Sequence, residues 1–181
     1  MKVLLLAVTL SLFQNPAGVP AESAPLAQFS AEIETYMAIR LGLLNEVSGP
    51  QSNSTAVQLN QASDALSAAI RRRRPNAKPG MLFTPEVAEA LTRRLNEAVR
   101  RENLAPVLAR IDDEDPGTGK PSIYQRFPAG AQLATMPPAL LAVLPTLPKE
   151  LEYRIVGTYL VLRDVDAALV LDFIPGAVPR K

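Results

Sequence analysis

The segment from residue 151 to residue 174, LEYRIVGTYLVLRDVDAALVLDFI, decides the fold. It contains three short runs in which aliphatic and aromatic residues follow the two-residue period of half-buried strands. These runs are Leu151–Val156, Tyr159–Leu162 and Leu169–Ile174. Two turn-forming stretches, Gly157-Thr158 and residues 164–167, separate them. The pattern predicts a three-stranded antiparallel meander, because strands joined by such short connections pair with their neighbours in the chain.

The same alternation predicts which face of the meander is buried. Successive side chains of a strand point to opposite faces of the sheet, so residues two apart share a face. A three-stranded sheet is marginally stable alone and needs a second layer against one face. The predicted buried face consists of Tyr153, Ile155, Leu160, Leu162, Leu171 and Phe173.

Hydrophobic residues upstream of the meander recur every three or four positions, which indicates amphipathic helices. The first stripe contains Phe29, Ile33, Tyr36, Met37, Leu41, Leu44 and Val47; the second contains Leu59, Ala62, Leu66, Ala69 and Ile70; the third contains Val87, Ala90, Leu91, Leu95, Ala98 and Val99. Thr84-Pro85 supplies an N-cap hydroxyl and a proline at the first position of the third helix. Shorter helices are predicted at Ala105–Ile111 and Ala139–Val143.

These elements predict an α+β fold: three to four mainly antiparallel helices followed by a C-terminal three-stranded antiparallel β-meander. About 160 residues suffice for one domain with a real core. We expect a single mature domain at residues 22–181, with a helical part at about 27–115 and the meander at about 151–175. A Pro/Gly-rich connection at about 116–149 joins the two parts.

The N-terminus has the features of a secretory signal peptide. Met1-Lys2 provides a positive charge, and residues 3–13 form an uncharged hydrophobic run that is too short to span a membrane. Small residues at Val19 and Ala21 fit cleavage after Ala21, and Ala17 and Ala24 are competing sites. We predict that residues 1–21 are a signal peptide and that a soluble mature protein is exported to the periplasm or the exterior. The alternative is a buried N-terminal helix or strand.

The composition excludes several classes of chemistry. The chain contains no His, Cys or Trp. Without His and Cys there is no Ser–His or Cys–His nucleophile and no zinc, copper or haem site with the usual nitrogen and sulfur ligands. We therefore predict no cofactor, no metal and no catalytic residue.

Two acidic or glycine-rich motifs are better explained as loops. Gly117-Thr118-Gly119-Lys120 resembles a phosphate loop, but Glu114 and Pro121 stand where that motif requires Gly and Ser or Thr. Asp112–Asp115 offers oxygen ligands for Ca²⁺, but the EF-hand spacing is absent. We interpret the first motif as a turn and the second as a solvated acidic segment.

The acidic residues of the meander leave one enzymatic alternative open. A hydrolase that uses carboxylates alone needs two acids facing each other across a cleft. The candidates are Glu152, Asp164, Asp166 and Asp172. Alternation favours a simpler interpretation, in which Glu152 and Arg154 share one face of the first strand, a solvated sheet face that carries a cross-strand ion pair.

Charge is distributed unevenly along the chain. Residues 71–110 hold ten basic and four acidic residues, a net charge of +6, whereas residues 22–70 have a net charge of −4. The functional interpretation is a surface for an anionic partner, formed by Arg71, Arg72, Arg73, Arg74, Lys78, Arg93 and Arg94. The structural alternative is that acidic helix one packs beside basic helix three, with the charges along their seam and at helix C-termini. Nucleic acid is not expected as a partner, because no aromatic residues alternate with these cations.

The C-terminal part carries a resemblance. The run LPTLPKELEYRIVGTYLVLRDVDAALVLDFIPGAVP at residues 144–179, preceded by RRRRP at 71–75 and LFTPEVAE at 82–89, resembles a group of uncharacterised exported bacterial proteins. Residues 152–174 are also loosely similar to small periplasmic domains that end in a YR-x-V-G…LVL-x-D…VVD-x-I hairpin. The resemblance implies export and the β-meander, and it implies no activity.

Together these observations predict an exported, non-enzymatic binding protein or envelope-associated accessory protein. Its partner would be an anionic envelope component or another envelope protein. The alternative function is a carboxylate-only hydrolase of the cell envelope.

Overall fold

The computed structural model describes residues 23–47, 54–113, 119–126 and 136–179, except for the side chains of residues 112 and 113. The predicted signal peptide at 1–21, the acidic side chains at 112–115 and the turn residues 117–118 lie outside the described residues. Within them, the elements in chain order are α1 (Ser23–Glu46), α2 (Ala56–Arg73), α3 (Pro85–Arg101), α4 (Ala105–Asp113), α5 (Pro138–Leu141), β1 (Leu151–Val156), β2 (Tyr159–Asp164) and β3 (Leu169–Ile174). The predicted α+β fold, with helices followed by a three-stranded antiparallel sheet, is confirmed. No helix in these ranges is both long enough and hydrophobic enough to cross a bilayer.

Helix α1 packs on the core through most of the predicted stripe, with Met37, Leu44 and Val47 half-buried against it, and departs from the prediction at Leu41. Its buried residues are Phe29, Ile33, Tyr36, Arg40 and Leu43. The prediction that Leu41 belongs to the buried stripe is wrong, because 64% of Leu41 is exposed. Arg40 takes the inward position instead, with only 3% exposure. Because α1 has hydrophobic residues on several sides, the periodicity alone could not decide which side packs.

The starts of α2 and α3 follow from their caps. Thr55 and Gln58 form a capping box, in which each side chain bonds the backbone N–H of the other residue. Thr84 accepts a hydrogen bond from the Val87 N–H at 3.4 Å, and Pro85 follows it at the first helical position. All six predicted residues of the α3 stripe are buried, whereas Leu59 in α2 is 48% exposed. Helix α3 packs against α1 and α5, and α1 also packs against α2.

The sheet has the order β1-β2-β3, and both pairs are antiparallel. The β1 and β2 strands pair without interruption from Leu151 opposite Asp164 to Val156 opposite Tyr159. The pairing of β2 with β3 shifts register between Leu162 and Arg163. This bulge changes the face on which the last residues of β3 lie.

Five of the six residues predicted for the helix-facing side of the sheet are confirmed, and Phe173 is the exception. Phe173 belongs to a separate hydrophobic cluster with Val156, Val161 and Val170, and Ile123 and Tyr159 pack against that cluster. The bulge turns Phe173 away from the helices, although it stays buried.

The connection predicted to be irregular contributes to the sheet. Tyr124 donates its backbone N–H to the Val170 carbonyl at 2.9 Å, and the Val170 N–H donates to the Gln125 carbonyl at 3.0 Å. Arg126 and Leu169 form an antiparallel bridge. Residues 124–126 therefore run along the edge of β3, and Ile123 packs against the hydrophobic cluster on the second face of the sheet.

Candidate functional site

The predicted basic surface is centred on the C-terminal end of α2. Arg71, Arg72 and Arg73 occupy the last turn and are exposed, and Arg74 is the half-buried C-cap residue. The positive charges stabilise this helix end, where the macrodipole is negative. Lys78 is exposed in the loop that follows.

Arg71 and Arg74 are fixed by two tyrosines. The Arg71 Nη2 donates to the Tyr124 carbonyl at 2.8 Å, and its Cζ lies 6.0 Å from the centre of the Tyr124 ring. The Tyr124 hydroxyl donates to the Arg74 carbonyl at 2.6 Å. The Arg74 Cζ lies 5.4 Å from the centre of the Tyr36 ring, a cation–π distance. The structure therefore places Tyr124 between the two arginines.

Tyr124 has an unusual backbone conformation. Its φ is 64°, in the left-handed region, which is rare for a bulky residue and costs about 1–3 kcal/mol. Burial raises the pKa of the Tyr124 hydroxyl, while the positive charges of Arg74 and Arg71 oppose that rise. Both guanidinium groups are thus close enough to act on this side chain.

The other predicted contacts on α3 have different neighbours. The Arg93 Nη1 lies 3.3 Å from the Glu89 Oε1 on its own helix, and the pair is exposed. The Arg94 Nη1 donates to the Val143 carbonyl, just after α5, at 3.5 Å. These two residues are held against α3 and α5, whereas Arg71 is held against residues 119–126.

A buried polar cluster, here called the clasp, joins α1 to the end of β2. It consists of Tyr36, Arg40, Asp164 and Asp166. The Asp164 Oδ2 accepts from the Tyr36 hydroxyl at 2.8 Å and from the Arg40 Nε at 2.7 Å, and its Oδ1 accepts from the Ala167 N–H at 2.9 Å. Arg40 also pairs with Asp166, whose side chain is 60% exposed.

Burial determines the electrostatics of the clasp. Burial, together with the charge and hydrogen bond of Asp164, raises the pKa of the Tyr36 hydroxyl well above its usual range. Burial alone would lower the pKa of the Arg40 guanidinium, but Asp164 and Asp166 raise it above its ordinary value. Tyr36 is therefore neutral and Arg40 charged at any physiological pH. Every oxygen of Asp164 has a donor from its own chain, so the clasp is organised to hold α1 on the sheet.

Two features of the sequence indicate the clasp, although hydrophobic periodicity does not use them. Arg40 lies four residues after Tyr36, in line with the buried stripe of α1, and a buried arginine requires an anion. Asp164 follows Leu162 by two residues, so its side chain lies on the same face of β2 as Leu160 and Leu162, the face towards the helices. Its partner could not be identified from the sequence, because Arg40 and Asp164 are 124 residues apart.

Asp172, the second fully buried carboxylate, anchors the loop between α2 and α3. Its Oδ1 accepts from the Gly80 N–H at 2.9 Å and from its neighbour Phe173 N–H at 2.8 Å. Its Oδ2 accepts from the backbone N–H groups of Leu82 and Phe83 at 2.8 and 2.9 Å. Four backbone donors therefore compensate this buried charge.

Glu152 forms the predicted ion pair on the second face of the sheet. Its Oε2 lies 2.7 Å from the Arg154 Nη2, and its Oε1 lies 3.1 Å from the Arg163 Nε across the strand pair. Burial and the charge of Arg154 lower the pKa of the Arg163 guanidinium, while Glu152 opposes this change. One carboxylate therefore bridges two arginines.

Two open cavities lie on the described surface. One, of about 390 Å³, is lined by Met136, Leu144, Leu147 and Tyr153, with Glu152 and Arg154 among its polar groups. The other, of about 410 Å³, is lined by Phe83, Tyr159, Phe173 and Pro175, with Lys120 as its charged residue. In it, Tyr159 and Phe173 meet edge to face, with ring centres 5.9 Å apart. Glu152 is the one acid among the described residues that line either cavity.

No protein-family model, curated protein or solved structure matches this chain. The contacts of its own residues are therefore the basis on which a function can be proposed.

Proposed function

We propose that this is an exported, non-enzymatic binding protein or envelope-associated accessory protein. Its contact surface, here called the basic surface, consists of Arg71, Arg72, Arg73, Arg74, Lys78, Arg93 and Arg94. The partner is an anionic component of the cell envelope or an acidic region of another envelope protein. The resemblance to exported bacterial proteins and the signal-peptide features of residues 1–21 support the location.

The observation that carries the proposal is the exposed run of arginines at the end of α2. Arg72 and Arg73 point to solvent and form no ion pair within the described ranges. The hydrogen bond of Arg71 goes to a neutral carbonyl, so its charge is not neutralised either. Clustered exposed cations attract polyanions and raise the rate of encounter with them.

The described acids give the hydrolase alternative less support. A general acid and its partner need to face a substrate across a cleft. Asp164 and Asp172 instead accept hydrogen bonds from the protein at both oxygens, and Glu152 bridges two arginines. Contacts within the protein thus account for the positions of these three carboxylates.

Salt dependence tests the binding proposal. Association of the mature protein with an envelope fraction should weaken between low salt and about 0.5 M salt, because exposed charges are screened over about 8 Å already at physiological ionic strength. The variant R71Q/R72Q/R73Q/R74Q should weaken it at low salt as well. The structural alternative, in which these charges only stabilise helix ends, predicts unchanged binding and a stability loss of about 0.3–1 kcal/mol per site. Binding that is insensitive to both salt and mutation would contradict the proposal.

The export part of the proposal has a separate test. N-terminal sequencing of protein recovered from the periplasm or the medium should give Glu22 as the first residue, as expected for cleavage after Ala21. An intact Met1 in that material would contradict the signal-peptide prediction.

A further inference from the structure

Arg74 has a guanidinium group whose donors are not used by the described protein. Its Nη1 is covered from solvent and has no hydrogen-bond partner. In the part of the chain that the structure describes, its side chain makes no ion pair, and its recorded contact is the face of Tyr36. A covered guanidinium without an acceptor is unusual, because burying an unpaired charged donor is costly.

Arg71 lies one helical turn before Arg74 and likewise makes no ion pair with the described residues. Residues three apart on a helix lie on the same side, so Arg71 and Arg74 share one side of the α2 terminus. Tyr124 contacts both of them, through its carbonyl and ring on Arg71 and through its hydroxyl on the Arg74 carbonyl. This contact is maintained although the backbone of Tyr124 is strained, with φ at 64°. Strain of this kind is characteristic of sites where a side chain has to be held in place.

The neighbouring carboxylates do not supply the missing anion. Asp164 and Asp166 are engaged by Arg40 in the clasp. Asp64 pairs with Arg126, which also donates to Ser63. Arg72 and Arg73 differ from Arg71 and Arg74, because the structure gives them no aromatic or carbonyl contact that would fix their guanidinium groups.

We propose that Arg71 and Arg74 form a cradle for a phosphate group. This inference rests on the proposed function and narrows it from seven basic residues to two. A guanidinium group can donate two parallel N–H···O hydrogen bonds to a pair of oxygens. Two such groups on one side of a helix end therefore suit a tetrahedral anion with at least two free oxygens. Tyr124 and Tyr36 orient the two guanidinium groups, and the phosphate supplies an anion that the described residues give to neither arginine. The phosphate belongs either to a lipid headgroup or to a small soluble ester.

Two double variants with the same change in charge test the cradle. R71Q/R74Q and R72Q/R73Q each remove two positive charges from the same helix end. The probes are inorganic phosphate, followed by calorimetry, and vesicles of phosphatidylglycerol in phosphatidylcholine, followed by co-sedimentation. R71Q/R74Q should weaken binding at least about tenfold, because it removes the charge-assisted hydrogen bonds of both guanidinium groups. R72Q/R73Q should weaken it by less than about threefold, because Arg72 and Arg73 of the basic surface contribute only the diffuse attraction of exposed charges.

Three further variants keep the test decisive if R71Q/R74Q folds poorly. R71K/R74K retains the charge but loses the fork, so it should bind as weakly as the glutamine variant. The single variants R71Q and R72Q alter neighbouring exposed residues, and R71Q should weaken binding more than R72Q does. Circular dichroism confirms that each variant is folded before binding is compared.

The possible results separate the cradle from the broader proposal. Binding of both probes, or of phosphatidylglycerol vesicles alone, with selective loss in R71Q/R74Q supports the cradle and identifies the source of the phosphate. Equal weakening in the two double variants, or wild-type binding by R71K/R74K, overturns the cradle and leaves a diffuse basic surface. Wild-type binding by R71Q/R72Q/R73Q/R74Q overturns the cradle and the proposed function together.

Discussion

At the scale of single residues, the two fully buried carboxylates illustrate how a charge is tolerated in a hydrophobic core. Asp164 is compensated by a guanidinium, a phenol and one backbone N–H, whereas Asp172 is compensated by backbone N–H groups alone. Both arrangements leave no oxygen without a donor. They differ in what they connect, since Asp164 holds a helix and Asp172 holds a loop.

The pair Asp164 and Asp166 provides a matched test of burial in the clasp. D164N should lower the free energy of unfolding by about 3–5 kcal/mol, because it leaves the buried Arg40 charge without its main partner. D166N makes the same chemical change on a side chain that is 60% exposed, and it should cost less than about 1 kcal/mol. Urea denaturation of both variants measures the difference. Equal losses would show that Asp164 is not the dominant partner.

The raised pKa of Tyr36 makes a prediction about alkaline pH. Because the folded pKa is above the unfolded value of 10.0, the stability it contributes is complete below pH 10 and is lost as the pH rises. Above about pH 10 the unfolded chain releases a proton that the folded protein keeps, so stability falls by about 1.4 kcal/mol per pH unit. The Y36F variant should lack the part of this pH-dependent loss of stability that Tyr36 causes. Burial also raises the pKa values of Tyr124 and Tyr153, and these two residues lower the stability of both proteins equally as the pH rises. Identical slopes in urea melts at about pH 9–11 would show that Tyr36 ionises in the folded state.

At the scale of elements, the sequence predicts best where its hydrophobic pattern permits one answer. The three strands and the buried stripe of α3 are confirmed, because each is a hydrophobic run of clear period bounded by turn or capping residues. The buried face of α1 was mispredicted at Leu41, since hydrophobic residues lie on several sides of this helix and Arg40 packs inward through a distant carboxylate. The face of Phe173 was mispredicted because a bulge is not encoded in two-residue alternation.

The same limit applies to the candidate site. The arginines could be named from the sequence because they are adjacent and cationic. The role of Tyr124 could not be predicted from the sequence, because it contacts Arg71 across 53 residues. Its left-handed backbone lies where the chain pairs with β3, which is also a long-range contact. Residues that position a site through long-range contacts leave no local pattern in the sequence.

The orientation of α1 can be tested with one pair of leucines. L43A should lower the free energy of unfolding by about 2–5 kcal/mol, because it leaves a cavity at a residue that is 4% exposed. L41A removes the same atoms from a residue that is 64% exposed, and it should change stability by no more than about 0.5 kcal/mol. Denaturant melts of the two variants decide which side of α1 is packed. A larger effect of L41A would restore the stripe predicted from periodicity.

At the scale of the whole molecule, the helices and the sheet share one hydrophobic core. Its buried residues come from all five helices and all three strands, with Leu66, Leu91, Leu140 and Leu162 among them. The clasp adds a polar connection between α1 and the end of β2, and Asp172 adds another between β3 and the loop before α3. Elements that are distant in sequence therefore depend on one another for burial.

This dependence predicts that the helical part and the sheet unfold together. Far-ultraviolet circular dichroism, which is dominated by the helices, and tyrosine fluorescence, which includes Tyr153 and Tyr159 of the sheet, should give the same urea midpoint. D164N should shift both midpoints equally to lower urea, because the clasp joins the two parts and neither part keeps its core without the other. If D164N instead separates the two curves, the sheet and the helices are independently stable, and the clasp only positions them.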